Sequence, residues 1–368
     1  MTFQQKNSDH FKQGRFYNPG APRQSFLQFV KWISRRKMGY WPDFVEAMHG
    51  PKPVERVFGN DLIVTFVNHS TFLLQTSGFN ILSDPVWSDR VSPIPFLGPR
   101  RHRNPGIRFD DLPPIDCILI SHNHYDHLDV PTLRRLAKRD SPAVFSPLGL
   151  RPLLVRAGLT DIYELDWWEE RSWRGLNMHC VPAQHFSSRT PFDRNRTLWC
   201  GWVVNVEGTL LYFAGDTGFG GHFAEIGSHF KPLRLALLPV GAYEPEWFMS
   251  PVHMTPEQAI EAQRLLKAGT AIATHFGTFA LADDGMVAPV ERLKVALRMS
   301  SPAVKLLVLA EGEPCRVGEA KSYHSVFGST LSPVSCVVKQ RDYEDENGNR
   351  TINRRCIAVD LDEPSAQM

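Results

Sequence analysis

The chain has no CxxC pair and no dense cysteine framework: Cys117, Cys180, Cys200, Cys315, Cys336 and Cys356 are scattered along it. A small disulfide-stapled secreted domain is thereby excluded, and a reducing compartment is the simpler expectation. No stretch approaches the ~18 apolar residues that a membrane-spanning helix needs. The opening MTFQQKNSDHFKQG lacks the apolar region of a secretory signal. A cytoplasmic protein is expected, either soluble or peripheral on the inner face of a membrane. Internal repeats and low-complexity segments are missing too. So is any surplus of one charge: 41 basic against 39 acidic residues leave a formal net charge of +2. No global field marks a nucleic-acid binder, and no nucleic-acid partner is expected.

What the 368 residues do contain, at 42% hydrophobic, is enough to bury a sizeable core. Three regions differ in character. Residues 1–56 are polar, with one amphipathic segment, SFLQFVKWISRRKMGYWP. There Phe26, Phe29, Val30 and Ile33 recur at i, i+3, i+4 and i+7, flanked by Lys31, Arg35, Arg36 and Lys37. That pattern predicts a helix whose apolar face either packs on the main domain or lies on a membrane surface. Residues 57–317 carry short strand-like runs (LIVTFV, TFLLQT, FNILSD, CILIS, NMHCVPA, WVVNVE, LLYFAGD) interleaved with helical patterns at 130–139, 148–158, 256–268 and 288–299. The last-but-one helix should open at Thr255 and Pro256 and stop at Gly269. Meandering strands followed by alternating strands and helices predict an α/β (α+β) domain, with sheets packed on sheets and helices outside. Residues 318–368 read as an appended hairpin turning at Asn347-Gly348.

Residues 120–129, ISHNHYDHLD, crowd three histidines and two aspartates into ten positions directly after an apolar strand. In an extended segment alternate side chains point the same way, so His122 and His124 can share one target while Asp126 and His127 serve a second beside it. Two ions need more ligands than this, and the chain offers further candidates at strand ends: His185 in VPAQHFSSR, Asp216 in LLYFAGDTGFG and His275 in AIATHFGTF. Asp129 falls outside the spacing and should lead into the following helix.

HxHxDH followed by a distant His, an Asp in GDTG and a last His resembles the metallo-β-lactamase fold. More closely, PPIDCILISHNHYDHLD, PAQHFSSRT, FAGDTGF, GAYEPEWFM, HMTPEQA and THFGTFALADD resemble the N-acylphosphatidylethanolamine-hydrolysing phospholipases D, over a span from RFYNPG to AEGE at 313. The resemblance implies an αβ/βα four-layer sandwich with a dinuclear site at one edge. It assigns His122, His124 and His185 to one Zn²⁺, Asp126, His127 and His275 to the other, and Asp216 to both. Iron or manganese would also suit such nitrogen and oxygen donors. Asp84 in ILSDPVW and His69 in VNHSTFLL would support these ligands from behind. His253 in SPVHMTPEQA would stand at the mouth, contacting the substrate phosphate or protonating the leaving alkoxide. Tyr243 belongs to the same region as a candidate substrate contact.

Two Zn²⁺ less two carboxylates and a bridging hydroxide would leave a site of about +1, suited to a phosphodiester anion. The expected reaction is hydrolysis of N-acylphosphatidylethanolamine, or a related glycerophospholipid, to N-acylethanolamine and phosphatidate. Asp126, Asp216 and His253 would be its catalytic residues. The same ligands would equally serve a lactonase or a cyclic or small-molecule phosphodiesterase; a nuclease and a non-catalytic binder rank lower. Trp87, Phe96, Trp167, Trp168, Phe186, Trp247, Phe248 and Phe279 are candidates for an acyl groove. The run GPRRHRNPG at 98–106 is either a solvated loop or a contact for interfacial phosphates. A phospholipid substrate is the expected partner; a membrane surface and a homo-oligomer remain open.

Overall fold

The structure, a computed structural model, describes residues 8–22, 24–47, 49–94 and 96–318 together with the backbone of 334–344 and 350–360. The chain enters through a short hairpin, β1 (Phe11–Lys12) and β2 (Arg15–Phe16), and helix α1 (Phe26–Ser34). A first sheet is built from β3 (Leu62–Asn68), β4 (Thr71–Thr76), β5 (Phe79–Ser83), β6 (Cys117–Leu119), β7 (Ala143–Pro147) and β8 (Ile162–Leu165). Helices α2 (Val130–Arg139) and α3 (Arg151–Arg156) connect its last three strands. The second sheet comprises β9 (Glu170–Trp173), β10 (Leu176–Val181), β11 (Gly201–Val206), β12 (Thr209–Phe213), β13 (Leu233–Pro239), β14 (Ala268–Thr274) and β15 (Leu306–Leu307). It is joined by α4 (His222–His229), α5 (Glu246–Met249), α6 (Pro256–Leu266) and α7 (Ala288–Met299). β16 (Pro314–Arg316) returns to pair with β3, giving each sheet seven strands.

Side-chain alternation sets the layers. Leu62, Val64 and Phe66 on β3, Phe72 and Leu74 on β4, and Ile81 on β5 point into the core shared with Trp202, Val204 and Leu235 of the second sheet. The intervening Val67, Leu73 and Leu82 face the other way, onto Leu133 and Leu136 of α2 and Leu154 of α3. Phe223 of α4, Ile260 of α6 and Leu293 of α7 cover the far side of the second sheet. The order is therefore helices, sheet, sheet, helices. In each sheet an antiparallel meander passes into parallel strands, β5 to β8 in the first and β12 to β15 in the second. The loops leaving the carboxyl ends of these parallel strands are where α/β sheets place ligands.

One detail departs from the sequence expectation, and a second bears on the two readings left open for α1. α6 has its capping box at Thr255 and Gln258, but it ends earlier than Gly269: Lys267 takes the left-handed conformation (φ 53°) and closes the helix, and Gly269 already belongs to β14. α1 is a helix, capped by Ser25 and Gln28, yet its apolar stripe is not its packing face. Trp32 is the residue that docks, stacked on Phe248 at 5.0 Å with Nε1–H bonded to Asp283. Phe26, Phe29, Val30 and Ile33 stay exposed. Beyond the sandwich, β17 (Val334–Glu344) and β18 (Arg350–Asp360) pair antiparallel with Glu344 opposite Arg350. The expected Asn347-Gly348 turn lies outside the described residues.

Candidate metal centre

Every histidine and aspartate singled out as a ligand sits on a loop after a strand of the sandwich. The 120–129 turn follows β6, His185 follows β10, Asp216 follows β12, and His275 follows β14. The structure brings all seven together. His122 Nε2 lies 2.8 Å from His124 Nδ1, which lies 3.3 Å from His185 Nε2. On the other side His127 Nε2 and His275 Nε2 approach Asp126 Oδ2 at 3.2 and 3.6 Å. One atom, Asp216 Oδ2, stands between the groups, at 4.0 and 3.8 Å from His122 and His185 and at 3.2 and 3.0 Å from His127 and His275.

The imidazoles are oriented from behind. His127 Nδ1–H donates to Asp84 Oδ2 at 2.6 Å. His122 Nδ1 is 2.9 Å from Ser121 Oγ, which donates to the same Asp84 oxygen at 2.5 Å, while Ser121 N–H donates to Asp84 Oδ1 at 2.7 Å. His185 Nδ1–H donates to the Val252 carbonyl at 2.9 Å. With Nδ1 engaged outward in each, His122, His127 and His185 turn Nε2 inward, the nitrogen through which each would hold a cation. Asp84 therefore stands behind one histidine of each group. Ser121 and the Val252 carbonyl were not foreseen, since a serine beside a histidine and a backbone oxygen leave no mark in a sequence.

Burial dominates the ionisation of the first group. His122 and His185 are held well below the ordinary histidine range, and His124 is lowered to about 4, so all three are neutral at physiological pH. In the second group burial also works against charge, but the Asp216 and Asp126 carboxylates outweigh it. They raise His275 to about 9 and His127 well above its ordinary value. Asp216 and Asp126, despite burial, are held well below the usual carboxylate range by His127 and its neighbours.

The donor set fits divalent cations. Asp216 Oδ1, His127 Nε2 and both His275 nitrogens are buried without a hydrogen-bond partner, and buried polar atoms are seldom left so. Two cages share this space: His122, His124 and His185, and His69, Asp126, His127 and His275, the ligand atoms of each lying within 4.8 Å of one another. His69 is thus closer to the centre than a supporting residue need be. Its Nε2 is 2.9 Å from Asp126 Oδ2, and its ring packs 4.1 Å from that of His275.

His253 faces the same space, its ring 5.1 Å from His185 and 5.3 Å from His275. Tyr243 is buried under the Arg292 guanidinium at 4.8 Å, and no described contact ties it to the histidines. Of the candidate aromatics, Phe186 meets His124 at 4.5 Å and Phe279 meets His69 at 5.3 Å. The others lie elsewhere: Trp87 packs on Phe109, Trp167 on His10, Trp168 on His229, Trp247 and Phe248 beside α1, and Phe96 is exposed. The basic 98–106 run is largely engaged within the protein: Arg101 is buried among carbonyls over Phe279, Arg100 pairs with Asp89 and Arg103 with Glu311. Asp129 begins α2, its carboxylate accepting from Trp87 N–H, Ser88 N–H and Thr132 Oγ–H.

Residues 79–276 match the family described as a beta-lactamase superfamily domain. A Caenorhabditis elegans protein named N-acyl-phosphatidylethanolamine-hydrolyzing phospholipase D 1 is 35% identical over 293 residues, covering 74% of this chain and 82% of that one. An uncharacterized Mycobacterium tuberculosis protein is 41% identical over 303 residues, covering 79% and 80%. Among solved structures, the metallo hydrolase Igni18 from Ignicoccus hospitalis shares the fold with a TM-score of 0.54 and 23% identity, over 70% of this chain and 99% of its own. The chain belongs to the beta-lactamase superfamily as a metal-dependent hydrolase of the metallo-β-lactamase fold, related to the N-acyl-phosphatidylethanolamine-hydrolyzing phospholipases D.

Proposed function

We propose that the chain is a dinuclear phosphodiesterase that cleaves N-acylphosphatidylethanolamine or a related glycerophospholipid, releasing N-acylethanolamine and phosphatidate. The observation that carries this reading is the position of Asp216 Oδ2, within 3.0–4.0 Å of four imidazole nitrogens drawn from two adjoining groups. A single carboxylate shared in this way suits two cations side by side. His122, His124 and His185 would hold one, Asp126, His127 and His275 the other, and Asp216 both; zinc is the expected metal, with iron or manganese as alternatives. When bound, the pair supplies Lewis acidity toward a phosphoryl oxygen and lowers the pKa of water in the site.

The chain's own groups do the rest. Asp84, through His127 and Ser121, keeps both histidine groups aimed inward. His253, lowered by burial to about 3, is neutral at working pH, so its role is to hydrogen-bond a substrate oxygen rather than to deliver a proton as an imidazolium. Phe186 and Phe279, on opposite sides of the histidines, offer apolar wall for an acyl chain. The lipid assignment draws on the name of the nematode relative, and peripheral attachment to a membrane follows from such a substrate. Among the described residues no helix is long and apolar enough to cross a membrane.

The test is turnover of mass-tagged N-acylphosphatidylethanolamine in vesicles by zinc-loaded protein. Release of N-acylethanolamine supports the reading. No turnover of any N-acyl phospholipid, with hydrolysis of a lactone or a small soluble phosphodiester instead, would replace it with the small-substrate alternative.

A further inference from the structure

What stands behind His275 differs from what stands behind three other histidines of the centre. His122, His127 and His185 each set Nδ1 against a partner, whereas His275 Nδ1 is buried without one. The backbone there is well held. His275 N–H donates to the His69 carbonyl at 2.8 Å, and the His275 carbonyl abuts Gly241 so closely that a Cβ at 241 would come within 1.9 Å of it. A fixed backbone still leaves the imidazole free to turn, and a bond at Nδ1 is what sets the ring and its tautomer. An acceptor lies across a small cavity. The loop after β14 returns so that Asp284 and His275, with Trp41, Phe276 and Phe279 among the other walls, enclose about 10 Å³, room for about one water molecule. Asp284 is only 8% exposed. Its Oδ2 accepts from Ala242 N–H at 3.1 Å, and Oδ1 is buried with no partner. Ala242 and His275 both hold left-handed backbone, φ 59° and 61°, a strained conformation for residues with a Cβ and one that gathers at functional sites.

We infer that Asp284, acting through one ordered water in this cavity, is the acceptor that orients His275, and so is a positioning residue for the second ligand group. The inference rests on His275 as a metal ligand, as read above, and on no particular substrate. A water here accepts from His275 Nδ1–H and donates to Asp284 Oδ1, so both orphaned groups are satisfied and Nε2 keeps its lone pair for the cation. A carboxylate at the end of that chain makes the imidazole a better donor to metal. The neighbouring acid cannot substitute. Asp283 is directed away, its carboxylate accepting from Trp32 Nε1–H and from Arg36. The histidine and the last aspartate of THFGTFALADD thereby become the two ends of one support.

The experiment is a zinc titration of the metal-free full chain against a chromophoric chelator, for wild type, D284N, D284E and D283N, together with a crystal structure of the zinc-loaded wild type. D284N keeps the shape and an acceptor for Ala242 N–H but turns an amide toward the cavity. One equivalent should therefore weaken about tenfold while the other stays at the wild-type value. D284E carries its carboxylate one methylene further, to where the water lies, and should restore most of that loss. D283N, on the same loop but away from the cavity, should lower the melting temperature and leave both affinities alone, which separates positioning from general loosening. The crystal structure should show a water bonded to His275 Nδ1 and Asp284 Oδ1. Wild-type affinity for both equivalents in D284N, an equal loss in D283N, or Nδ1 bonded to some other group would each overturn the inference and leave the dinuclear reading standing. A wild type that takes up a single equivalent would remove that reading, and the inference with it.

Discussion

Asp84→Asn probes how far the centre depends on a residue that does not face it. The wild-type carboxylate is fully buried and serves three donors: His127 Nδ1–H and Ser121 Oγ–H on Oδ2, and Ser121 N–H on Oδ1. An asparagine of the same shape has one oxygen. If that oxygen stays with His127, the amide NH₂ confronts Ser121 N–H across 2.7 Å, and a buried donor is stranded at a cost of about 1–3 kcal/mol. If the amide turns over, His127 loses its acceptor and the tautomer that leaves Nε2 free is no longer favoured. In either orientation a charged acceptor becomes neutral, with roughly half the hydrogen-bond strength. Loss of such a supporting partner lowers metal affinity about 10–100-fold. Because Asp84 stands behind His127 directly and behind His122 through Ser121, both cations should weaken. The measurement is competition for zinc against a chromophoric chelator, with Ser121→Ala as the milder companion, expected to lose a few-fold. Wild-type affinity for both equivalents in Asp84→Asn would refute the reasoning.

Asp216→Asn should bind fewer than two equivalents of metal by elemental analysis and lose more than about 100-fold in activity, since a direct shared ligand outranks a supporting one; two equivalents at full activity would contradict the bridging role. Loading zinc into metal-free protein near neutral pH should release on the order of two protons, because His127 and His275 carry raised pKa values and a cation takes their place between the carboxylates. A pH indicator in weak buffer reads this, and no acidification would count against it. Phe66→Ala should destabilise the fold by about 3–5 kcal/mol in urea unfolding, since Phe66 is fully buried against Phe72 and Phe276. His10 is bonded to Asp166 and Asp9 at 2.8 Å each, and these carboxylates outweigh burial to raise its pKa above 6.5. A raised folded-state pKa gives stability that is full below 6.5 and fades as pH climbs through the folded value. Melting temperature should fall over that window relative to His10→Ala; parallel curves would exclude the effect.

Local patterns carried most of the architecture. The HxHxDH turn needs only its own spacing to be seen, and His185, Asp216 and His275 could be picked out because each follows an apolar run. The strands LRLALLP and AGTAIAT, β13 and β14, are harder to read: buried on both faces, they show no alternation and look as much like buried helix as strand. The packing face of α1 is not legible in its amphipathicity: one indole, Trp32, finds both a ring and a carboxylate, while Phe26, Val30 and Ile33 of the apolar stripe stay exposed. Gly269 looked like a helix stop, and only the left-handed backbone at Lys267 shows where the turn is made. The supports at Ser121 and the Val252 carbonyl come from hydroxyl and backbone atoms that every protein has in abundance, so their identity becomes visible only in space.

The ligand sets do not respect the division between the two sheets. His122, His124, Asp126 and His127 follow β6 of the first, whereas His185, Asp216 and His275 follow strands of the second. Neither cage can be completed by one half of the molecule, so a cation held in either would act as a clasp across the seam between them. Two fragments cut between β8 and β9 should then reassemble in proportion to the metal supplied, making the enzyme's cofactor also the fastener of its scaffold.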